Sequence, residues 1–180
     1  DVHNQQIAKF AYTGLGRMMI NAGHSYSYGI ETAIRSKLCN DHLALILNYG
    51  YTHAVFHRYN AGGGTDYSGN RVPFIPDHNM GLLADYTQPI SLHWIKNLTI
   101  GVNCNGFGRI YWTEANNAYQ NFYATAGAHA LINFGDVELN LWAKNITKTS
   151  YKTFYFESMN RGYSQKGYPF QLGFDLRLNF

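Results

Sequence analysis

The feature that most limits what this chain can become is its last stretch, Phe170–Phe180, which reads F-Q-L-G-F-D-L-R-L-N-F. Phe170, Leu172, Phe174, Leu176, Leu178 and Phe180 alternate without a break with Gln171, Gly173, Asp175, Arg177 and Asn179. A strict period of two belongs to a strand with one apolar and one polar face. At about 3.3 Å per residue the stretch is close to what a tilted strand needs to cross a bilayer. Charged residues are only 14% of the chain and aromatic residues 16%, yet mean hydropathy is −0.30 and no run of eighteen apolar residues occurs. That balance excludes a helical membrane protein and suits a transmembrane barrel, in which half the strand residues face water. The net charge of +3 comes without a basic block, so nucleic acid is not an expected partner.

The same alternation recurs along the chain and predicts about eight antiparallel strands. An incomplete first strand runs through Val2, Gln5, Ile7 and Lys9, and a loop is expected at Gly14-Leu15-Gly16. Arg17–Leu38 reads as one long extended segment, with Tyr26, Tyr28, Ile30, Thr32, Ile34 and Leu38 opposite Gly29, Glu31, Ala33, Arg35 and Lys37. After a turn at Cys39–His42, Leu43, Leu45, Leu47, Tyr49 and Tyr51 share a face to about His57. Further apolar rows are Met80 to Tyr86, Leu98 to Cys104, Phe122 to Ile132 and Val137 to Ala143. The connections alternate in length: short at 39–42, 89–96 and Gly135-Asp136, long at 58–76, 112–120 and 157–167. Short turns at one end and long loops at the other are the pattern of an outer-membrane barrel. Tyr and Phe gather near strand ends, as interfacial girdles do. Cys104 falls on an apolar row and Cys39 in a turn, so no disulfide is expected, and their spacing is not that of a metal site.

Gln171-x-Gly173-x-x-Leu176-x-Leu178 closed by Phe180 resembles the C-terminal signal that the barrel-assembly machinery reads in bacterial outer-membrane barrels. Four further stretches, in order along the chain, resemble the C-terminal barrel portion of a TonB-dependent receptor. They are Asn21-Ala22-Gly23 through Ser27, Gly29 and Glu31; Gly69-Asn70-Arg71-Val72-Pro73-Phe74-Ile75-Pro76; Leu141–Thr147 on to Tyr151; and Gly167-Tyr168-Pro169 leading into the last strand. Phe170 stands where that family usually has an Arg. The resemblance implies an all-β antiparallel transmembrane barrel, with residues 1–180 as the last eight or so of 22 strands and the plug domain absent from the chain. It implies residence in the bacterial outer membrane, with the C-terminus in the periplasm. The partners it implies are outer-membrane lipid, the remaining strands and plug of the same receptor, the TonB energy-coupling complex, the assembly machinery and a surface lipoprotein. Its expected activity is energised uptake of a scarce ligand: an iron chelate, haem, cobalamin or a glycan.

No catalytic residues, cofactor or metal are expected. Aromatic and Arg side chains in the long loops are the candidate ligand contacts: Tyr59, Tyr67, Arg71, Tyr111, Trp112, Tyr155, Arg161 and Tyr163. Such groups hold chelates or sugars by stacking and charge pairing, and they also serve simply to pack loops. Gly62-Gly63-Gly64 lacks the Lys-Ser/Thr of a phosphate loop and reads as a flexible tip. His53 and His57 would lie about 13 Å apart on a strand, too far to share a metal. Glu138 with Glu157, or Asp85 with Glu31, have no reason to converge as an acid–base pair. Two alternatives stay open at this point: a complete eight-stranded outer-membrane barrel with a structural or adhesive role, and a soluble lipocalin-like barrel with its apolar rows turned inward.

Overall fold

A computed structural model describes residues 2–3, 6–10, 17–21, 23–92, 94–159 and 161–179, with side chains from residue 23 onward except at Gly62 and Ser91. Phe180 and the Gly14-Leu15-Gly16 loop lie outside the described residues. Among the described residues all the regular elements are strands. Eight of them form one antiparallel sheet in chain order: β1 (Val2–His3), β2 (His24–Leu38), β3 (Leu43–Arg58), β4 (His78–Leu92), β5 (Ile95–Phe107), β6 (Tyr123–Asn133), β7 (Val137–Lys144) and β8 (Gln171–Leu178). Each strand pairs with the next, and among the described residues β8 does not pair with β1. The sheet is therefore an open arc.

The period of two seen in the sequence becomes a single apolar face because the registers match from strand to strand. Ile34 lies opposite Leu47, Leu47 opposite Leu82, Leu82 opposite Cys104, and Cys104 opposite Ala126. The row continues with Ala128 opposite Ala143 and Ala143 opposite Leu172. A slip of one residue at any pairing would reverse the faces beyond it. That face is open to the surroundings: Ile30 is 63% exposed, Leu172 73% and Phe174 70%. A water-soluble sheet would bury those side chains.

The other face carries Glu31, Arg35, Lys37, Asn48, Asp85, Asn103, His129, Asn140, Asp175 and Arg177, interleaved with Gly29, Gly50, Gly81, Gly101, Gly127 and Gly173. The glycines make room for large polar neighbours. A Cβ on Gly101 would lie about 2.2 Å from Asp85 Oδ1 and 2.1 Å from His129, whose Nε2 stands 3.6 Å from that same carboxylate across the glycine. A Cβ on Gly173 would enter the Trp142 ring, over which Lys144 Nζ sits at 4.6 Å. Arg177 donates to Glu138 at 3.3 Å and Asn140 to Asp175 at 3.4 Å.

The connections divide by end. At one end β2–β3, β4–β5 and β6–β7 are joined by short connections at 39–42, 93–94 and 134–136. Positive φ at Cys39, Asn40, Asp41 and Gly135 closes two of them. At the other end the long connections carry four small hairpins: Gln6–Phe10 with Arg17–Asn21, Asn60–Gly62 with Thr65–Asp66, Ile110–Tyr111 with Tyr119–Gln120, and Lys152–Ser158 with Arg161–Lys166. Among the described residues the deeply buried apolar side chains (Ala54, Val55, Phe56, Tyr59, Ile110 and Trp112) all lie at this long-loop end, on the last stretch of β3 and in the long connections.

Three boundaries differ from the sequence reading. The expected single segment from Arg17 to Leu38 breaks at Gly23, whose φ of +76° and close approach to the Arg58 carbonyl suit only glycine. The first strand likewise splits, so that Gln6–Phe10 folds back on Arg17–Asn21 instead of joining the sheet. The expected turn at 89–96 shrinks to two residues, because Pro89 still lies opposite Asn97 and the ladder takes up the irregularity between Pro89 and Leu92. Cys39 and Cys104 are both free thiols, as their placement in a turn and on the apolar face requires.

Two substitution pairs test this arrangement. Ile100→Lys on the apolar face should cost about 2–4 kcal/mol in a bilayer, whereas Asn103→Lys on the polar face should cost under about 1 kcal/mol; urea titration in vesicles, read by heat-modifiable gel mobility, measures both. Gly29→Ala would press a methyl to within 2.1 Å of the Tyr51 carbonyl oxygen, while Gly50→Ala meets side chains no closer than 3.7 Å. By the same titration the first should destabilise by about 1–3 kcal/mol and the second by less than about 0.5 kcal/mol.

Candidate functional site

The long-loop end is built by backbone and Asn side chains that tie one loop to the next. The loop after β3 runs back along its own strand: Val72 N–H donates to Ala54 O and Phe56 N–H to Asn70 O. Asn70 Nδ2 then reaches Glu114 O at 2.8 Å, and Asn116 grips Arg71 from both sides, accepting from its N–H at 2.7 Å and donating to its carbonyl at 3.0 Å. The Gly69–Pro76 segment is thus the clamp between the loop after β3 and the loop after β5. A second clamp is Asn145, buried and at positive φ. Its Nδ2 donates to Thr149 O and Tyr168 O, both at 3.0 Å, and its Oδ1 accepts from Thr149 N–H. Thr149 Oγ1 in turn donates to Ala124 O at 2.7 Å, pinning the Leu141–Tyr151 segment to β6.

Where β4 and β5 leave the sheet, Arg71, Asp77, His78, Arg109, Tyr111 and Asn121 line an open cleft of about 550 Å³. Arg71 Nη1 lies 3.0 Å from Asp77 Oδ1, so one cation is matched by one anion. Arg109 stands over the Tyr119 ring at 4.9 Å, and its hydrogen bond with Tyr111, followed by the pull of nearby negative charge, holds its guanidinium firmly protonated. Counting Arg71, Asp77 and Arg109 leaves the cleft with a net +1. Guanidinium forks beside phenol rings are suited to a planar or carboxylate-bearing anion.

The eight loop residues expected to contact a ligand divide into three groups. Arg71 and Tyr111 line the cleft. Tyr59 and Trp112 are buried at 1% and 6% exposure, and Tyr67 is half-buried against Tyr59. Tyr59 packs on Phe56 and Tyr67, and burial, with the negative charge of Glu114 behind it, pushes its hydroxyl up to about 12. Trp112 meets Phe74 edge-on at 5.6 Å. Tyr155, Arg161 and Tyr163 belong to the exposed Lys152–Lys166 hairpin. There Tyr163 stacks on Phe156 at 5.2 Å, Phe156 follows Phe154, and Phe154 stacks on Phe74 at 5.8 Å. Tyr155 donates to Glu157, which raises its pKa, and lies across Gly162. Trp112, Phe74, Phe154, Phe156 and Tyr163 therefore form one chain of rings leading outward from beside the cleft. Sequence reasoning missed Arg109, Asp77 and His78; the signal for the first was an Arg set between Gly108 and Tyr111 directly after a strand.

The acid–base pairings considered from the sequence do not form. Asp85 faces His129, and Glu138 faces Arg177. Among the described residues no three His, Cys, Asp or Glu side chains are gathered for a metal.

Comparison with known proteins fits this architecture. The TonB dependent receptor-like beta-barrel family matches residues 1–146. Among solved structures, the ferric yersiniabactin uptake receptor FyuA from Yersinia pestis superposes with a TM-score of 0.78 at 19% identity, covering 91% of this chain and 25% of its own. The siderophore receptor PiuA from Acinetobacter baumannii gives 0.70 at 20% identity, covering 89% and 22%. BauA, the ferric preacinetobactin receptor of the same organism, gives 0.71 at 16% identity, covering 98% and 26%. The chain spans about a quarter of the length of each. With an open antiparallel arc, one continuous apolar face and short turns opposite long loops, the chain belongs to the TonB-dependent receptor-like β-barrel family.

Proposed function

We propose that this chain is the C-terminal arc of an outer-membrane receptor that binds a scarce ligand at its long loops and passes it inward through the barrel lumen. The observation that carries the reading is the sheet with an exposed apolar face and a charged, glycine-studded opposite face. Such a sheet is stable where lipid covers the first face and a polar lumen the second. Unpaired strand edges in lipid cost several kcal/mol per backbone group, so further strands complete the barrel beyond β1 and β8. The long loops then face outward, and the short turns and the end of β8 face the periplasm. Family and fold alike are those of receptors, and no bond-making chemistry is assigned to the chain.

The ligand class that best suits the cleft is an anionic iron chelate. Arg71 and Arg109 supply the charge, Tyr111 a phenol, and the Trp112-to-Tyr163 chain of rings a surface for aromatic or sugar rings. Three of the structural relatives bear siderophore names, which points the same way. Uptake is proposed to draw on the TonB complex acting on a plug domain, with the assembly machinery reading Gln171, Gly173, Leu176, Leu178 and Phe180; a surface lipoprotein is a further proposed partner.

Arg71→Ala combined with Arg109→Ala in the whole receptor should weaken binding of an anionic ferric chelate by about 10- to 100-fold, two partly exposed contacts contributing about 1.4–2.7 kcal/mol together. Tyr59→Phe should leave it within about twofold. Fluorescence quenching titration with ferric chelates of differing charge measures this. Unchanged affinity in the double variant would remove the cleft from the account.

A further inference from the structure

On the apolar face, near the long-loop end, five side chains form a polar cluster, one of which, His78, also borders the cleft. Tyr49 bonds Nδ1 of His78 at 2.9 Å, and Tyr51 lies 3.5 Å from Nδ1 of His53, with its ring 5.2 Å from that of His78. Tyr28 stacks on His53 at 4.9 Å. Directly below, on the same face, Ile34, Leu47, Leu82, Cys104, Gly106 and Ala124 line an apolar groove of about 440 Å³, with Tyr49 shared between groove and cluster. Small side chains at Gly106 and Ala124 form it between larger neighbours. From Leu43 to His53 is about 33 Å along the strand, or about 23 Å of depth at a tilt near 45°, so the histidines stand at the upper edge of the hydrocarbon band.

We propose that this face holds one phosphate-bearing lipid, an acyl chain in the groove and its phosphate on His53, His78 and Tyr51. When the Tyr49 hydroxyl donates to Nδ1 of His78, the neutral ring carries its proton on Nε2, a donor for a phosphate oxygen. Tyr51 adds a hydroxyl between the two rings. The groove makes the occupant a lipid and the imidazoles make its head group an anion. Among the described residues no third ligand gathers with these imidazoles to make a metal site.

The inference rests on the membrane-barrel reading and is tested on the whole receptor purified in detergent. Native mass spectrometry would count bound lipid after addition of dipalmitoyl phosphatidic acid or, as the uncharged probe, dipalmitoyl glycerol. The unmodified protein should retain one phosphatidic acid. His53→Phe with His78→Phe should lower its retention at least fivefold and leave the glycerol lipid unchanged. Tyr49→Phe, which keeps the ring and the groove, should lower phosphatidic acid retention about threefold. Ala124→Leu should displace both lipids. Phosphatidic acid retention as high as the unmodified protein's in both the histidine double variant and Tyr49→Phe would overturn the site while leaving the barrel intact. A protein that stays soluble and monodisperse without detergent would overturn the membrane reading itself.

Discussion

The interaction on which the rest of this structure depends is the backbone ladder of the antiparallel sheet. In hydrocarbon an unpaired N–H or C=O has no water to turn to, so a strand persists there only when each neighbour satisfies it. The unbroken chain-order pairing from β1 to β8 does this for every interior strand. Once the ladder is fixed, the pleat assigns every second residue to lipid, and the matched registers carry that assignment across the whole arc. The charged side chains then have only one face left. There Glu138 and Arg177 pair directly across neighbouring strands, and Asp85 and His129 approach each other over Gly101.

The same constraint separates the two ends. Turns of two to four residues suffice where a strand need only reverse. The long connections emerge into water, where backbone groups have other partners, and there the chain builds its small core of Phe56 and Tyr59 and its Asn clamps at Asn116 and Asn145. The Asn116 clamp, with the backbone bonds from Phe74 N–H to Tyr111 O and from Asp77 N–H to Arg109 O, holds Arg71, Arg109 and Tyr111 around one cleft. A rigid scaffold that carries the proposed ligand contacts on tied loops is the usual division of labour between fold and function.

The faces were legible in the sequence because period two is a local signal: Leu43, Leu45, Leu47 and Tyr49 declare their side without reference to anything distant. The eight-strand count and the alternation of loop lengths followed from it. What stayed hidden was set by non-local contact. Nothing local in Arg17–Leu38 shows that Gly23 must pass close to the Arg58 carbonyl, so the break there was invisible. Pro89 looked like a turn because its missing N–H weakens a ladder, yet the strand pairing absorbs it. In the loops, residue type alone does not separate Tyr59, taken up in packing, from Tyr111, which lines the cleft. Burial decides that, and burial arises from three loops meeting.

The central claim is that this chain is one arc of a larger membrane barrel. The most direct test is the intact mass, under denaturing conditions, of the protein that carries this sequence, purified from native membranes. A chain that spans about a quarter of the receptors it superposes on should belong to a protein about four times its own 20.4 kDa. A mass near 20.4 kDa would contradict the account and return the eight strands to a small self-closed barrel.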